Sequence, residues 1–231
     1  MSPRPSPRAT RRAGLDRETV LGAALELADE VGLDGLSMRK LGQRLGVEAM
    51  SLYNHVDGKD DVVGAIIDLV WAQAARAAPE APWREAIREN ALGLHQAFLA
   101  HPWACTFFPA SLGPARLHAM EAMLAALADG GFSARQAYNA HHVIDGHVIG
   151  YTQQMIGFTP PDLSGPDGTT ADPKDFVRAI GGDLPHLCEH IDLHAVQDEL
   201  GLGSGFELGL DLILDGLERL RSGDPRGARA G

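Results

Sequence analysis

Between Ser37 and Asn54, two short apolar helix patterns are joined by nothing longer than Leu45-Gly46-Val47. Few folds accept so abrupt a connection. Gly46 lets the chain turn where a Cβ would clash, and Ser37 is a good cap for the first of the two helices. Leu41 and Leu45 on that helix, and Leu52 on the next, would pack on a preceding helix. That helix opens at Asp16, repeats Val20, Ala24, Leu27 and Val31 at helical spacing, and stops at Gly32. The arrangement fits a helix-turn-helix. It leaves Ala49, Met50, Ser51, Tyr53 and Asn54 on or near the outer face, where small and polar side chains let a helix lie deep in a major groove. His55 and Lys59 just beyond, and Arg39 at the start of the first helix of the pair, fall where phosphates would run. The same spacing also suits a small helical bundle with no DNA role.

The rest of the chain is predicted to be helical too. Asp57-Gly58 reads as a turn, with Asp57 capping a helix from Lys59 to about residue 78 that Pro79 and Pro82 break. Further helices are predicted at about 83–100, 103–110, 114–129, 133–157, 173–181 and 203–222. No segment alternates with period two, so the expected class is all-α. Residues 1–14 form a basic, Pro-rich arm and 223–231 a polar tail. The chain then divides into 15–62, a three-helix unit that holds the helix-turn-helix, and 63–222, a larger helical unit.

Charge supports that division. Residues 1–60 carry nine Lys/Arg against nine Asp/Glu, and the remainder eleven against twenty-two, so the net charge of −11 lies outside the first region. Nucleic acid is therefore not excluded by the acidic total. No apolar run is long enough for a membrane span, and no apolar segment follows the basic N-terminus as in a secretory signal. Two distant cysteines do not make a disulfide framework, so a reducing cytoplasm is expected. For an enzyme the sequence offers no G-x-S-x-G, P-loop, G-x-G-x-x-G or H-E-x-x-H motif.

The segment ALELADEVGLDGLSMRKLGQRLGVEAMSLYNHVDGKDDV resembles the DNA-binding domain of the TetR family of transcriptional repressors. The order A-L-E-L, V-G-x-x-G-L-S, R-K-L, L-G-V, S-L-Y-N-H-V and K-D carries the likeness. The resemblance implies that Ala49, Met50, Ser51, Tyr53, Asn54 and His55 face an operator, with Arg39 and Lys59 on its backbone. PWREAIRENALGLHQAFLAHP, LHAMEAMLAALADGGFSARQAYNAHHVIDGHVIGY and FELGLDLILDGLERL resemble the ligand-binding region of the tetracycline-repressor subgroup. That subgroup holds drug-bound magnesium with a His at the end of its sixth helix. The stretch Ala104-Cys105-Thr106-Phe107-Phe108 has none, and no cofactor is expected.

The implied function is a homodimeric repressor released from double-stranded operator DNA by a small aromatic or amphipathic ligand. A dimeric helical sequestering protein with vestigial DNA binding is the alternative. Pocket candidates are Asn90, Leu94, Phe98, Phe107, Phe108, Leu117, Met120, His147 and Tyr151. Asn90 and His147 are preferred, since they match polar drug-contacting positions of the subgroup. Gly146 with Gly150, and Gly205 with Gly209, are small residues four apart. With Leu210, Ile213, Leu217 and Leu220 they suit close helix approach, either across a two-fold axis between helices 133–157 and 203–222 or within one chain. The resemblance favours the dimer. His186, His190 and His194 are spaced as a helical metal pair would be, but Pro185 and a loop at Asp192 point to a solvated face. His141, His142 and Asp145 form a weaker cluster.

Overall fold

A computed structural model describes residues 15–74, 78, 80–106, 113–157, 172, 174–175, 184–196 and 205–223, with backbone alone for 192–196. Among these residues the secondary structure is helical and no strand occurs. The elements are α1 (Arg17–Gly35), α2 (Met38–Leu45), α3 (Ala49–Leu52), α4 (Lys59–Gln73) and α5 (Trp83–Ala100). They continue with α6 (Pro102–Thr106), α7 (Pro114–Asp129), α8 (Ala134–Gly157), α9 (Pro185–Val196) and α10 (Gly205–Arg221). The basic arm 1–14 and the tail from 224 lie outside the described residues. So does nearly all of the helix expected at 173–181.

Local chemistry sets most of the boundaries. The Asp16 carboxylate accepts the Thr19 N–H at 2.8 Å and starts α1. Gly32, at φ 69°, leaves helical geometry as expected, and one further turn follows to Gly35. Ser37 Oγ accepts the Lys40 N–H and starts α2, and Gly46 at φ 69° ends it. The start of α4 differs from the expectation. Gly58, at φ 133°, stands before its first residue, and Val62 N–H donates to the Gly58 carbonyl. Asp57 is instead a donor, giving its backbone N–H to the Asp61 carboxylate at 2.9 Å. The helix ends at Gln73, short of residue 78. A second difference is α9. Pro185 begins this helix, because the first helical position needs no N–H donor, and the backbone stays helical through 196.

The chain divides into two units. One takes in residues up to Ala72 together with His101–His118; the other takes in Gln73–Ala100 and residues from Ala119 onward. The first unit therefore includes α4 and α6 besides the three N-terminal helices. Its core is Val20, Ala24, Leu27, Leu41, Leu52 and Ile66, all buried, with Trp103 packed at the edge. His101 and Trp103 both reach the Asp29 carboxylate, at 2.8 and 2.7 Å, and hold α6 to α1.

The second unit packs α5, α8 and α10 together around Phe98, Ile144, Val148, Phe206, Leu210 and Leu214. Trp83 and Phe132 meet edge to face at 4.9 Å and tie the start of α5 to the α7–α8 corner. Arg88 pairs with Glu207 and Asp211, and Arg84 with Asp215, along the α5–α10 seam. Among the described residues no helix is long and apolar enough to cross a membrane.

Candidate functional site

The helix-turn-helix is built on two glycines. A Cβ on Gly42 would stand 2.9 Å from the Val47 carbonyl and 3.1 Å from the Ala49 nitrogen, so only glycine lets α3 cross this close to α2. Gly46 then takes the left-handed turn. Leu52 fills the crossing and is fully buried. With that residue inward, Met50 is 73% exposed and Tyr53 49% exposed, and Asn54 is open as well. Ala49, Ser51 and His55 are half-buried on the flanks. The structure thus brings six of the sequence candidates onto one short helix and its C-terminal turn. Arg39 is exposed on α2, and Lys59 is exposed at the start of α4.

Two networks hold this unit, and sequence reading named neither. Arg17 forks onto Asp61 with contacts of 2.8 and 2.7 Å and also donates to the His55 carbonyl at 3.1 Å. This one guanidinium joins the start of α1, the end of the α3 turn and the start of α4. The Arg17 hydrogen bonds and the Asp57 N–H hold the Asp61 carboxyl down at about 2. Arg44 forks onto Glu30 and reaches Glu26, fixing α2 to α1. Its charge is thereby committed within the unit. Lys59 Nζ donates to the Leu33 carbonyl at 3.2 Å, just past the Gly32 break. An ammonium has three donors, so two remain for a phosphate.

The second unit contains a ring cluster at the crossing of α5, α8 and α10. His95 is buried and stacks on Phe206 with centroids 3.9 Å apart and planes 6° apart. His147 lies over the same ring at 4.8 Å, and Tyr151 meets its edge at 5.7 Å. Hydrogen bonds fix both imidazoles. Thr152 donates its hydroxyl proton to the Val148 carbonyl, so its oxygen accepts from His95 Nδ1 at 2.7 Å. His147 Nε2 donates to the Phe206 carbonyl at 2.9 Å. Burial, and then the neighbouring His147 charge, push His95 below the usual histidine range.

The candidates His147 and Tyr151 therefore sit together, with His95, Thr152 and Phe206 as companions the sequence reading did not name. Their only sequence signal was the apolar helical face on which they lie. Leu94 and Phe98 are buried on α5, and Asn90 is half-buried two turns before Phe98. Met120 is partly exposed on α7, and Leu117 is exposed in the first unit. Phe107 and Phe108 lie outside the described residues.

Gly205 and Gly209 have a role within the chain. A Cβ on Gly209 would stand 2.5 Å from His147 Cε1, and one on Gly205 would stand 2.6 Å from the Tyr151 hydroxyl. Leu210 and Leu217 on the same helix are buried. These four residues thus serve intrachain packing, because α8 rings occupy the space the glycines leave. Gly146 and Gly150 meet nothing within 4 Å.

Between α7 and α8 lies a cavity of about 470 Å³, walled by Met120, Leu124, Phe132, Tyr138, His141 and His142 among others. Its volume suits a drug-sized molecule. Of the described pocket candidates, only Met120 lines it. Among the described residues no group of three His, Cys, Asp or Glu could hold a metal ion. The side chain of His194 is outside that description.

Comparison with known proteins gives consistent results along the chain. The family described as "Bacterial regulatory proteins, tetR family" matches residues 20–66, and "Tetracyclin repressor-like, C-terminal domain" matches residues 77–221. An HTH-type transcriptional regulator of Saccharopolyspora erythraea is 33% identical, over 80% of this chain and 78% of its own length. The class A tetracycline repressor from transposon 1721 of Escherichia coli is 32% identical, over 90% of this chain and 92% of its own. The Streptomyces coelicolor TetR family protein ActR, solved in complex with actinorhodin, superposes with a TM-score of 0.64 at 26% identity. That match covers 90% of this chain and 97% of ActR.

Proposed function

This chain belongs to the TetR family of bacterial regulatory proteins, and on that premise we propose how it acts: as a two-fold dimer it holds operator DNA, and it lets go when a small molecule binds its second unit. It is a DNA-binding transcriptional regulator of the repressor type, working by binding and release rather than by catalysis, in the cytoplasm. The observation that carries this reading is the outer face of α3. Met50, Tyr53 and Asn54 are open on a helix held from behind by buried Leu52, with Ala49, Ser51 and His55 beside them. Such a face reads base edges, while Arg39 and the two remaining donors of Lys59 serve phosphates.

Residues 15–62 supply this reading head, and residues 63–222 supply assembly and ligand binding. The assembly face is the part of α8 and α10 that the chain itself leaves open. On α8 it holds Val143, Gly146 and Gly150, and on α10 it holds Leu208 and Leu212. Two copies of these helices pair across the axis. The ligand is aromatic or amphipathic, and its site is in the second unit, to which the candidates Asn90, Leu94, Phe98, Met120, His147 and Tyr151 belong. The relative ActR is solved in complex with actinorhodin, so one member of the family binds a small molecule of its own.

Release requires that the ligand prefer the conformation that fits DNA less well. A coupling of about 1–3 kcal/mol would lower operator affinity about 5–150-fold. A genomic footprint of the purified protein tests the reading. The expected result is protection of a palindrome whose half-sites lie one helical turn apart, about 34–36 Å. Sequence-indifferent binding across the genome would reject it.

A further inference from the structure

The α7–α8 cavity has one polar feature that its apolar walls do not explain. His141 lines it with 12% of its side chain exposed, and Nε2 stands 3.5 Å from the Asp145 carboxylate one turn on. Nδ1 of the same ring is buried and has no hydrogen-bond partner among the described residues. A carboxylate this close to one imidazole nitrogen favours the proton on that nitrogen, so the neutral ring keeps its lone pair on the other. Asp145 thus sets the tautomer and leaves Nδ1 as an acceptor with nothing to accept. Buried polar atoms in this condition are uncommon in folded proteins. The other walls include Met120, Phe132, Tyr138 and His142, and Tyr138 stacks edge-on against His142 at 4.5 Å.

We propose that this cavity is the ligand site, or the part of it that sets specificity, and that it takes a planar aromatic molecule carrying a hydroxyl group whose proton is given to His141 Nδ1. Flat rings suit walls made of Phe132, Tyr138 and Met120. The hydroxyl then completes a chain from ligand through His141 to Asp145, in which every buried polar atom is paired. This proposal rests on the regulator reading above, since it names the class of molecule that would release DNA. It also adds His141, and Asp145 behind it, to the candidates. Asp145 is here a positioning residue, because it acts on the ligand only through the ring it orients.

The test uses a matched pair of probes, 2-naphthol and 2-methoxynaphthalene, which differ in one hydroxyl proton. Affinities are read by probe fluorescence with the full-length protein. Wild type is expected to bind the naphthol about tenfold tighter or more, the loss typical when a buried acceptor goes unpaired. His141→Leu should bind both probes alike, with the ether within about threefold of its wild-type affinity, because only the acceptor is gone. His141→Gln, whose amide oxygen accepts, should restore part of the preference. Asp145→Asn should weaken naphthol more than ether, because the tautomer is no longer imposed.

Equal affinities for the two probes in wild type would overturn the proposal, as would an undiminished preference in both His141 variants. So would failure of wild type to bind either probe. Operator binding by gel shift on the same samples separates the two readings. Retained DNA binding with no probe preference sinks the cavity assignment alone, whereas loss of DNA binding in wild type sinks the regulator reading.

Discussion

The Lys59 ammonium donates to the Leu33 carbonyl at 3.2 Å, joining the start of α4 to the last turn of α1. A lysine here has two duties, since it satisfies a helix-end carbonyl and still presents donors outward. Lys59→Ala is expected to lower stability by about 1 kcal/mol. It should also flatten the salt dependence of DNA binding by about one unit of slope, and to similar extent on every sequence. Urea titration and salt-dependent gel shifts read the two effects separately. A variant that loses stability but keeps the full slope would remove Lys59 from the DNA contact.

Asp61 sits under the Arg17 fork, with its carboxyl held at about 2 against an ordinary 3.8. A carboxylate whose pKa is depressed by folding stabilises the protein above its unfolded value. That contribution is lost as pH falls from about 4 towards about 2. Asp61→Asn should therefore be less stable than wild type at pH 7, and the gap should close across that acid range. Chemical denaturation at a series of pH values checks this. A gap that is constant with pH would mean that the fork contributes nothing through charge.

His95 titrates in the opposite circumstance. Burial, then the facing His147, lowers its pKa below 6.5, so the unfolded chain takes up a proton more readily than the folded one. Stability from the neutral ring is complete above pH 6.5 and declines as pH falls below it. His95→Gln, which can still bond Thr152, should flatten the stability slope just below pH 6.5, even if its absolute stability is lower. An unchanged slope in that variant would place the titrating group elsewhere.

The four glycines of α8 and α10 should sort into two behaviours. A Cβ at Gly209 meets the His147 ring at 2.5 Å, and that ring is held by its bond to the Phe206 carbonyl. Gly209→Ala should cost about 1–3 kcal/mol by overpacking within one chain. Gly146→Ala meets open space within one chain, so any effect it has should appear in assembly rather than in the packing of the single chain. Assembly should respond also to Leu212→Asp, because Leu212 is 63% exposed in the single chain. Sedimentation should then show monomer where wild type is dimeric. A wild-type monomer at micromolar concentration would refute the assembly face.

Much of the first unit was legible from single residues, because caps and turns act locally. Asp16, Ser37, Gly32 and Gly46 each do in the structure what their chemistry implied. Asp57 misled because a turn aspartate and a capping aspartate look alike, and Asp61 four residues on supplies the carboxylate. Pro185 looked like a breaker, although the first helical position tolerates proline, so α9 was missed. Gly205 and Gly209 announced a close approach but not its partner, since spacing along one helix carries no information about which helix arrives. His95 went unnoticed because a histidine on an apolar face looks like any core residue until its Thr152 partner, 57 positions away, is seen. The α7–α8 cavity depends on how two helices meet at Phe132, and no local pattern encodes that volume.

The most direct measurement is a gel shift on DNA from the protein's own promoter region, comparing wild type with the double variant Tyr53→Ala, Lys59→Ala. Tyr53 stands for base reading and Lys59 for the phosphate contact, and both are exposed. Wild type should retard a discrete two-fold site, and the double variant should bind it at least about 100-fold more weakly, from roughly 1–3 kcal/mol for the base contact and a lost phosphate contact besides. Equal binding by the two proteins would contradict DNA recognition through α3.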